Sequence, residues 1–197
     1  MVEILGNYTI GGELMHLIEL NKLKEVNISF EQVSELSVPN YKVIETNIVA
    51  TVITKSETKA FTIEFMLPAN ACYYALLGAK FIPIADQKTL RLEVRYSESK
   101  TENYENTLAY SGKTVFKGLS AEYVETVLST AVEYFHCNKT PAGIIVFDTA
   151  AYCDVGSSPL MFKIATKTVL EILLNNNYPS KNDEIKEICE KNLLERK

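Results

Sequence analysis

The chain has 197 residues, 47% of them hydrophobic, which is enough for one large domain or two small ones with a buried core. Twenty-five acidic against 20 basic side chains give a formal charge of -5, with no Lys/Arg run longer than two. Nothing in this balance marks a strongly cationic nucleic-acid surface, and RNA contact would need local patches.

No apolar run approaches the ~20 residues that cross a bilayer, so no membrane partner is expected. Cys72, Cys137, Cys153 and Cys189 show no C-x-x-C spacing, and the start Met-Val-Glu-Ile-Leu has neither a basic nor a long apolar region. These features predict a cytoplasmic protein with free thiols. The N-x-S/T triplets at Asn7, Asn27 and Asn138 then have no glycosylation role.

In chain order, Glu3 to Ile10 reads as a strand, Gly11-Gly12 as a turn and Glu13 to Leu23 as a short helix. Ile44, Ile48, Ala50 and Val52 line one side of a period-2 ribbon, and Lys55 to Thr58 are polar. Phe61, Ile63, Phe65 and Leu67 alternate again, so the two runs predict a hairpin. Pro68 should end the second strand, and Asn70 to Leu77 with Gly78 behind it suits a short helix closed by glycine. Leu90, Leu92, Val94 and Tyr96 alternate with Arg91, Glu93 and Arg95, giving a half-buried strand with a wet outer face. Ser97 to Asn106 is read as a loop.

The second half has clearer periodicity. Ser120 is an N-cap, and Val124, Val127, Leu128, Ala131, Val132 and Phe135 recur at helical spacing. After a turn from Asn138 to Gly143, the apolar run Ile144 to Phe147 continues into the alternating Asp148 to Tyr152 as an inner strand. Ser158 followed by Pro159 opens a helix reaching about Asn175. A last helix, about Asn182 to Glu195, follows Ser180 in a near capping box. Its narrow stripe of Ile185, Ile188, Cys189 and Leu193 should pack on the body or on a partner.

Several patterns suggest chemistry and weaken on inspection. Ser111 to Thr114, Ser-Gly-Lys-Thr, resembles the end of a phosphate-binding loop, but Thr107 stands where its first glycine belongs and Val115-Phe116 does not open a helix; no nucleotide is expected. Cys153 beside Asp154 and a helix start suggests a nucleophile, for which the only bases are His16 and His136. A strand from Gly143 to Tyr152 holds His136 roughly 25 Å from Cys153. That distance rules out a dyad between them and a metal site joining His136 or Cys137 to Cys153. His16, flanked by Leu14, Met15 and Leu17, reads as a packed or surface residue. Asp154 suits accepting backbone N–H bonds or capping the Ser158 helix. Tyr73, Tyr74, Tyr123, Tyr134 and Phe135 fall on helical spacings and read as core, not as a base-stacking platform. No cofactor, metal or catalytic residue is assigned.

The order strand, helix, strand, tight loop, helix, and the strings "GLSAEYVETVLSTAVEYF" and "PAGIIVFDTAAYCDVGSSPLMFKIA", resemble domain IV of the elongation factor G family. Glu122-Tyr123-Val124 matches its helix start and Ala142-Gly143 its turn. Tyr152, Asp154, Val155, Ser157, Ser158, Phe162, Lys163, Ile164 and Ala165 match its loop and final helix. The likeness spans about 88–175. It implies an α+β fold, a split β-α-β sheet of four strands with helices packed on one face and a left-handed crossover, a hand that periodicity does not give.

In that family the domain reaches the ribosomal decoding centre with a histidine at its working tip. Here Cys153 takes the histidine position, Gly156 replaces the second aspartate, Ala150 stands at a tip glycine, and the GTPase motifs are missing. Residues 1–87 form an unassigned β-rich part packed on the rest, and 88–197 the domain IV-like part with an extra C-terminal helix. The resulting expectation is a non-catalytic binding protein, with ribosome or RNA association implied by the resemblance. Its contact loop would be Ala150, Ala151, Tyr152, Cys153, Asp154, Val155, Gly156, Ser157 and Ser158. Two other readings stand beside it: an enzyme or redox protein using Cys153, activated by the Pro159 helix dipole, and a homo-oligomeric structural protein with exposed β edges.

Overall fold

Among the described residues, the alternating and apolar runs of both halves resolve into a single nine-stranded sheet carrying helices on one face. The computed structural model describes residues 7–10, 13–20, 24–31, 33, 36, 41–53, 57–67, 73–109, 112–179 and 181–194. The strands are β1 (Asn7–Ile10), β2 (Glu13–Leu20), β3 (Lys24–Ser29), β4 (Lys42–Val49), β5 (Lys59–Leu67), β6 (Tyr73–Pro83), β7 (Thr89–Tyr96), β8 (Val115–Lys117) and β9 (Gly143–Cys153). Helices α1 (Ala121–Cys137), α2 (Pro159–Leu173) and α3 (Asn182–Leu194) complete the fold.

The strand order is β1-β2-β3-β5-β6-β9-β7-β4, with β8 pairing the end of β9. Every pairing is antiparallel except β7 with β9, which run parallel from Leu90↔Gly143 to Val94↔Phe147. Parallel neighbours need a crossover, and α1 supplies it. The architecture is α+β, and β6 pairs with β9, so the sheet is continuous across residues 87 and 88.

Several expectations for the first half are corrected by this order. Glu13–Leu20 is a strand, not a helix: Ile18 and Leu20 are buried while Glu19 between them is exposed, and pairing with β3 decides between two periods that a short segment satisfies equally. The expected hairpin is absent, because β4 pairs with β7 at the sheet edge while β5 lies between β3 and β6. The expected Asn70–Leu77 helix is instead strand β6 from Tyr73 onward; Pro68 and 69–72 lie outside the described residues, as do Glu3 to Gly6, Gly11-Gly12 and Ser180.

Why β6 imitates a helix is visible in its burial. Tyr74 and Leu76 pack on one face, Ala75, Leu77, Ala79 and Phe81 on the other, so both sides are apolar and no alternation shows. Gly78 is mid-strand and closes no helix. A Cβ there would lie 2.3 Å from Thr62 Oγ1 and 3.1 Å from Thr149 Cβ, since both neighbouring strands put a threonine opposite it.

The helical half matches expectation closely. α1 buries Val124, Val127, Leu128, Ala131 and Phe135, and α2 starts at Pro159 with Ser158 Oγ accepting from Met161 N at 3.3 Å. α3 buries Ile185, Cys189 and Leu193 against α2 and β2, so its stripe packs on the body. The sheet's other face carries a second, smaller core of Val33, Leu36, Met66, Tyr74, Leu76, Tyr104, Val115, Ala151 and Cys153, with Leu108 and Ala109 packed against it. β7's outer face is less wet than expected. Glu93 is buried beneath Arg95 at 2.9 Å and Arg91 at 3.5 Å, and Arg95 also reaches Asp148 at 3.9 Å.

Candidate functional site: the loop between β9 and α2

Strand alternation determines what this loop can offer. Along β9, Ala150 and Tyr152 turn toward the helices, and Ala151 and Cys153 toward the second core. All four are buried. Of the nine predicted contact residues, these therefore form the footing, while Asp154 and Val155 are exposed and Gly156, Ser157 and Ser158 are partly so. Val155 is 66% exposed, and Leu160 on the first turn of α2 is 40% exposed.

The loop is braced from within. Cys153 N donates to Ser157 Oγ at 2.9 Å, and Ser157 Oγ donates to Tyr74 O at 2.9 Å. Tyr74 N donates to Gly156 O at 3.2 Å, and Ser157 N to Cys153 O at 3.2 Å. The β9–α2 turn is thus tied to β6 from both sides. Gly156 has φ 142°, a conformation open to glycine and strained for an aspartate in its place. Asp154 does not cap the α2 helix, which Ser158 does. Its Oδ2 accepts from Lys100 Nζ at 2.8 Å.

An aromatic group underlies the loop on the helix side. Tyr123 stacks on Phe162 with centroids 4.5 Å apart, Tyr152 meets Tyr123 edge-on at 6.2 Å, and Phe116 lies 5.4 Å from Tyr152. Burial and the nearby Glu122 carboxylate raise the Tyr123 hydroxyl to about 12, and burial also raises Tyr152. Both phenols are neutral at physiological pH and serve packing. Tyr73 and Tyr74, expected on a helix, belong to β6.

Cys153 is poorly placed for chemistry. Its side chain is 1% exposed, and Sγ donates to Val155 O at 3.3 Å. It points to the sheet face opposite α2, so the dipole of that helix does not activate it. His136 ends α1 beside the start of β9, which spans about 33 Å to Cys153 at 3.3 Å per residue. His16 lies on β2, four strand positions from β9, about 19 Å away. Neither imidazole can serve as its base. Cys137, Cys153 and Cys189 form no disulfide; burial raises the Cys189 thiol well above its usual range. Of the Ser-Gly-Lys-Thr stretch, Ser111 lies outside the described residues, and Gly112 at φ 90° with Lys113 and Thr114 leads into β8 and not a helix. Among the described residues no group of three His, Cys, Asp or Glu side chains is arranged to hold a metal.

Sequence reading passes over one polar centre beneath the loop. Glu64 on β5 is fully buried and accepts from Tyr74 OH at 2.9 Å, Thr107 Oγ1 at 2.5 Å, Leu108 N at 2.9 Å and Asn27 Nδ2 at 3.0 Å. Desolvation raises its carboxyl above the usual range, and these donors oppose the rise. The cluster fastens the 103–109 segment over the second core. Its signal in the sequence was a single acid inside the apolar run Phe61 to Leu67.

No protein-family model, curated protein or solved structure matches the chain.

Proposed function

We propose that the chain is a non-catalytic binding protein that presents the Asp154–Ser158 loop and the start of α2 as a fixed contact surface. One observation carries this reading: the loop is tied to β6 through Ser157 and Tyr74 and buries its only thiol, yet turns Val155 and Leu160 outward. An ordered loop holding apolar side chains in water is suited to recognition, since little conformational freedom is lost on binding.

The resemblance to elongation factor G domain IV directs the first partner test to the ribosome. It is supported by the meeting of three separated motif matches, Tyr123, Tyr152 and Phe162, in one aromatic group, and by the order β7-α1-β9-α2 with β7 parallel to β9. The charges favour a protein surface over RNA phosphate. Lys100, Lys117 and Lys163 are each matched by a carboxylate, from Asp154, Glu102 and Glu133, leaving no cationic patch among them to release counterions.

Co-sedimentation with ribosomes over a salt series tests the proposal. The wild-type chain is expected to pellet at low salt with a shallow salt dependence, and Val155→Asp to stay in the supernatant. No pelleting of the wild type at low salt would remove the ribosomal partner. A steep salt slope would replace the apolar contact by phosphate binding.

A further inference from the structure

The sheet ends at β4, and among the described residues no further strand pairs with this edge. Its register with β7 is unbroken from Lys42↔Tyr96 to Val49↔Thr89, it has no proline, and its one lysine, Lys42, is engaged by Glu98 at 2.6 Å. Tyr41, Val43, Val49 and Ile53, in or beside the strand, are 44%, 45%, 73% and 72% exposed. Elsewhere among the described residues, the exposed large hydrophobics are Val155, Leu160 and Leu194.

Backbone alternation determines which groups face outward. Ala50 N donates to Lys88 O at 2.9 Å, so Val49 and Thr89 are a pair of the non-hydrogen-bonded kind, and every second residue of β4 shares that state. The N–H and C=O groups of Val43, Glu45, Asn47 and Val49 therefore point away from β7, toward open solvent.

We propose that β4 pairs antiparallel with β4 of a second copy of this chain, about a two-fold axis at Thr46. In this register Val43 lies opposite Val49, Ile44 opposite Ile48, Glu45 opposite Asn47, and Thr46 opposite itself, so branched apolar residues meet branched apolar residues. The charges agree with the register. Glu45 keeps its own Arg91 at 3.8 Å and faces an uncharged Asn47, whereas moving the axis to Glu45 would set two carboxylates against each other. The hydrogen-bonding parity also fits, since the outward-pointing residues are the ones brought into direct bonded pairs. The pairing does not rest on the loop reading, because it concerns the opposite partner of β7 and none of the loop's residues.

Sedimentation velocity on the full chain should give twice the monomer mass. Thr46 sits in a close, non-hydrogen-bonded pair across the axis, with Cα atoms ~4.5 Å apart, within the ~4.4–6.8 Å that a disulfide spans. Thr46→Cys should therefore cross-link under mild oxidation, while the wild type and Glu45→Cys should not. Asn47→Pro, which removes an outward donor and no bond to β7, and Val49→Lys should each weaken the dimer at least tenfold. If Asn47→Pro fails to fold, Val49→Lys alone decides that arm. A monomeric wild type at the highest soluble concentration would overturn the proposal. So would a dimer that both substitutions leave intact and that Thr46→Cys does not cross-link.

Discussion

Glu64 shows how a single side chain can hold a surface segment. Three donors, Tyr74 OH, Thr107 Oγ1 and Leu108 N, converge on Oε1 while Asn27 Nδ2 serves Oε2. Replacement by leucine strands these donors in a dry site, at about 1–3 kcal/mol for each one left unsatisfied. Glu64→Leu should therefore lower unfolding stability by more than ~3 kcal/mol. Glu64→Gln should cost far less, because Asn27 Oδ1, which has no hydrogen-bond partner, can turn to accept from the new amide. Denaturant unfolding at neutral pH distinguishes the two.

The same residue sets a pH dependence. Its folded pKa is raised by burial, so the folded state holds the proton more tightly than the unfolded chain. The stability this confers is fully present below the unfolded value near ~4.3 and is lost as pH rises through the folded value. Relative to Glu64→Gln, the wild type should gain stability as pH falls across that window. A parallel pair of stability curves would contradict this. Glu64 was hard to read in advance because an acid within a strand looks like an outward residue unless both faces are known to be covered.

At the scale of elements, the two helix starts that look alike in sequence differ in structure. Ser158 Oγ accepts from Met161 N, whereas Ser120 makes no side-chain cap bond. Ser158→Ala should cost about 1 kcal/mol in thermal or denaturant unfolding. Ser120→Ala should be close to neutral. In the sheet, Gly78→Ala should destabilise by at least about 1–3 kcal/mol, because the added methyl collides with Thr62 and the central strands leave no slack.

Elements were legible where a stripe or an alternation marks one face, or where turn signals bound a buried apolar run. α1 and α2 carry a clear apolar stripe with polar residues opposite, and β7 and β9 alternate or run apolar between turn signals. β6 was unreadable for the opposite reason: with both faces covered, Tyr73 to Gly78 offers no period, and Gly78 imitates a helix stop. β2 is short enough that its apolar residues fit both periods, and only its pairing with β3 decides.

For the whole molecule, strand order is what sequence proximity misjudged. The run from Lys42 and the run from Lys59 are neighbours in the chain yet are separated by β6, β9 and β7 in the sheet. Instead of turning back on itself, the chain after β4 is held at Thr51 and Val52 by Thr140 and Ala142, with Thr51 N donating to Thr140 O at 2.8 Å and Ala142 N to Val52 O at 3.0 Å. Nothing local in Lys55 to Thr58 could announce that long-range choice. The loop's position after β9, by contrast, was readable from Ser158-Pro159 and the strand before it. What the sequence left open was orientation: alternation sends Tyr152 to the helices and Cys153 to the second core, which separates a buried thiol from the helix start beside it.

We propose this loop as a braced contact surface rather than an active site, on the burial of its thiol and its ties to β6. Peptide-resolved alkylation of the native protein tests it most directly, comparing Cys153 with the exposed Cys137 across a pH series. Cys153 should be modified at least ~100-fold more slowly than Cys137, at a rate that follows protein opening, because its reaction requires that the core beneath the loop come apart. Modification as fast as that of Cys137, or a rate profile giving Cys153 a pKa below the ordinary thiol value of ~8.5, would contradict it.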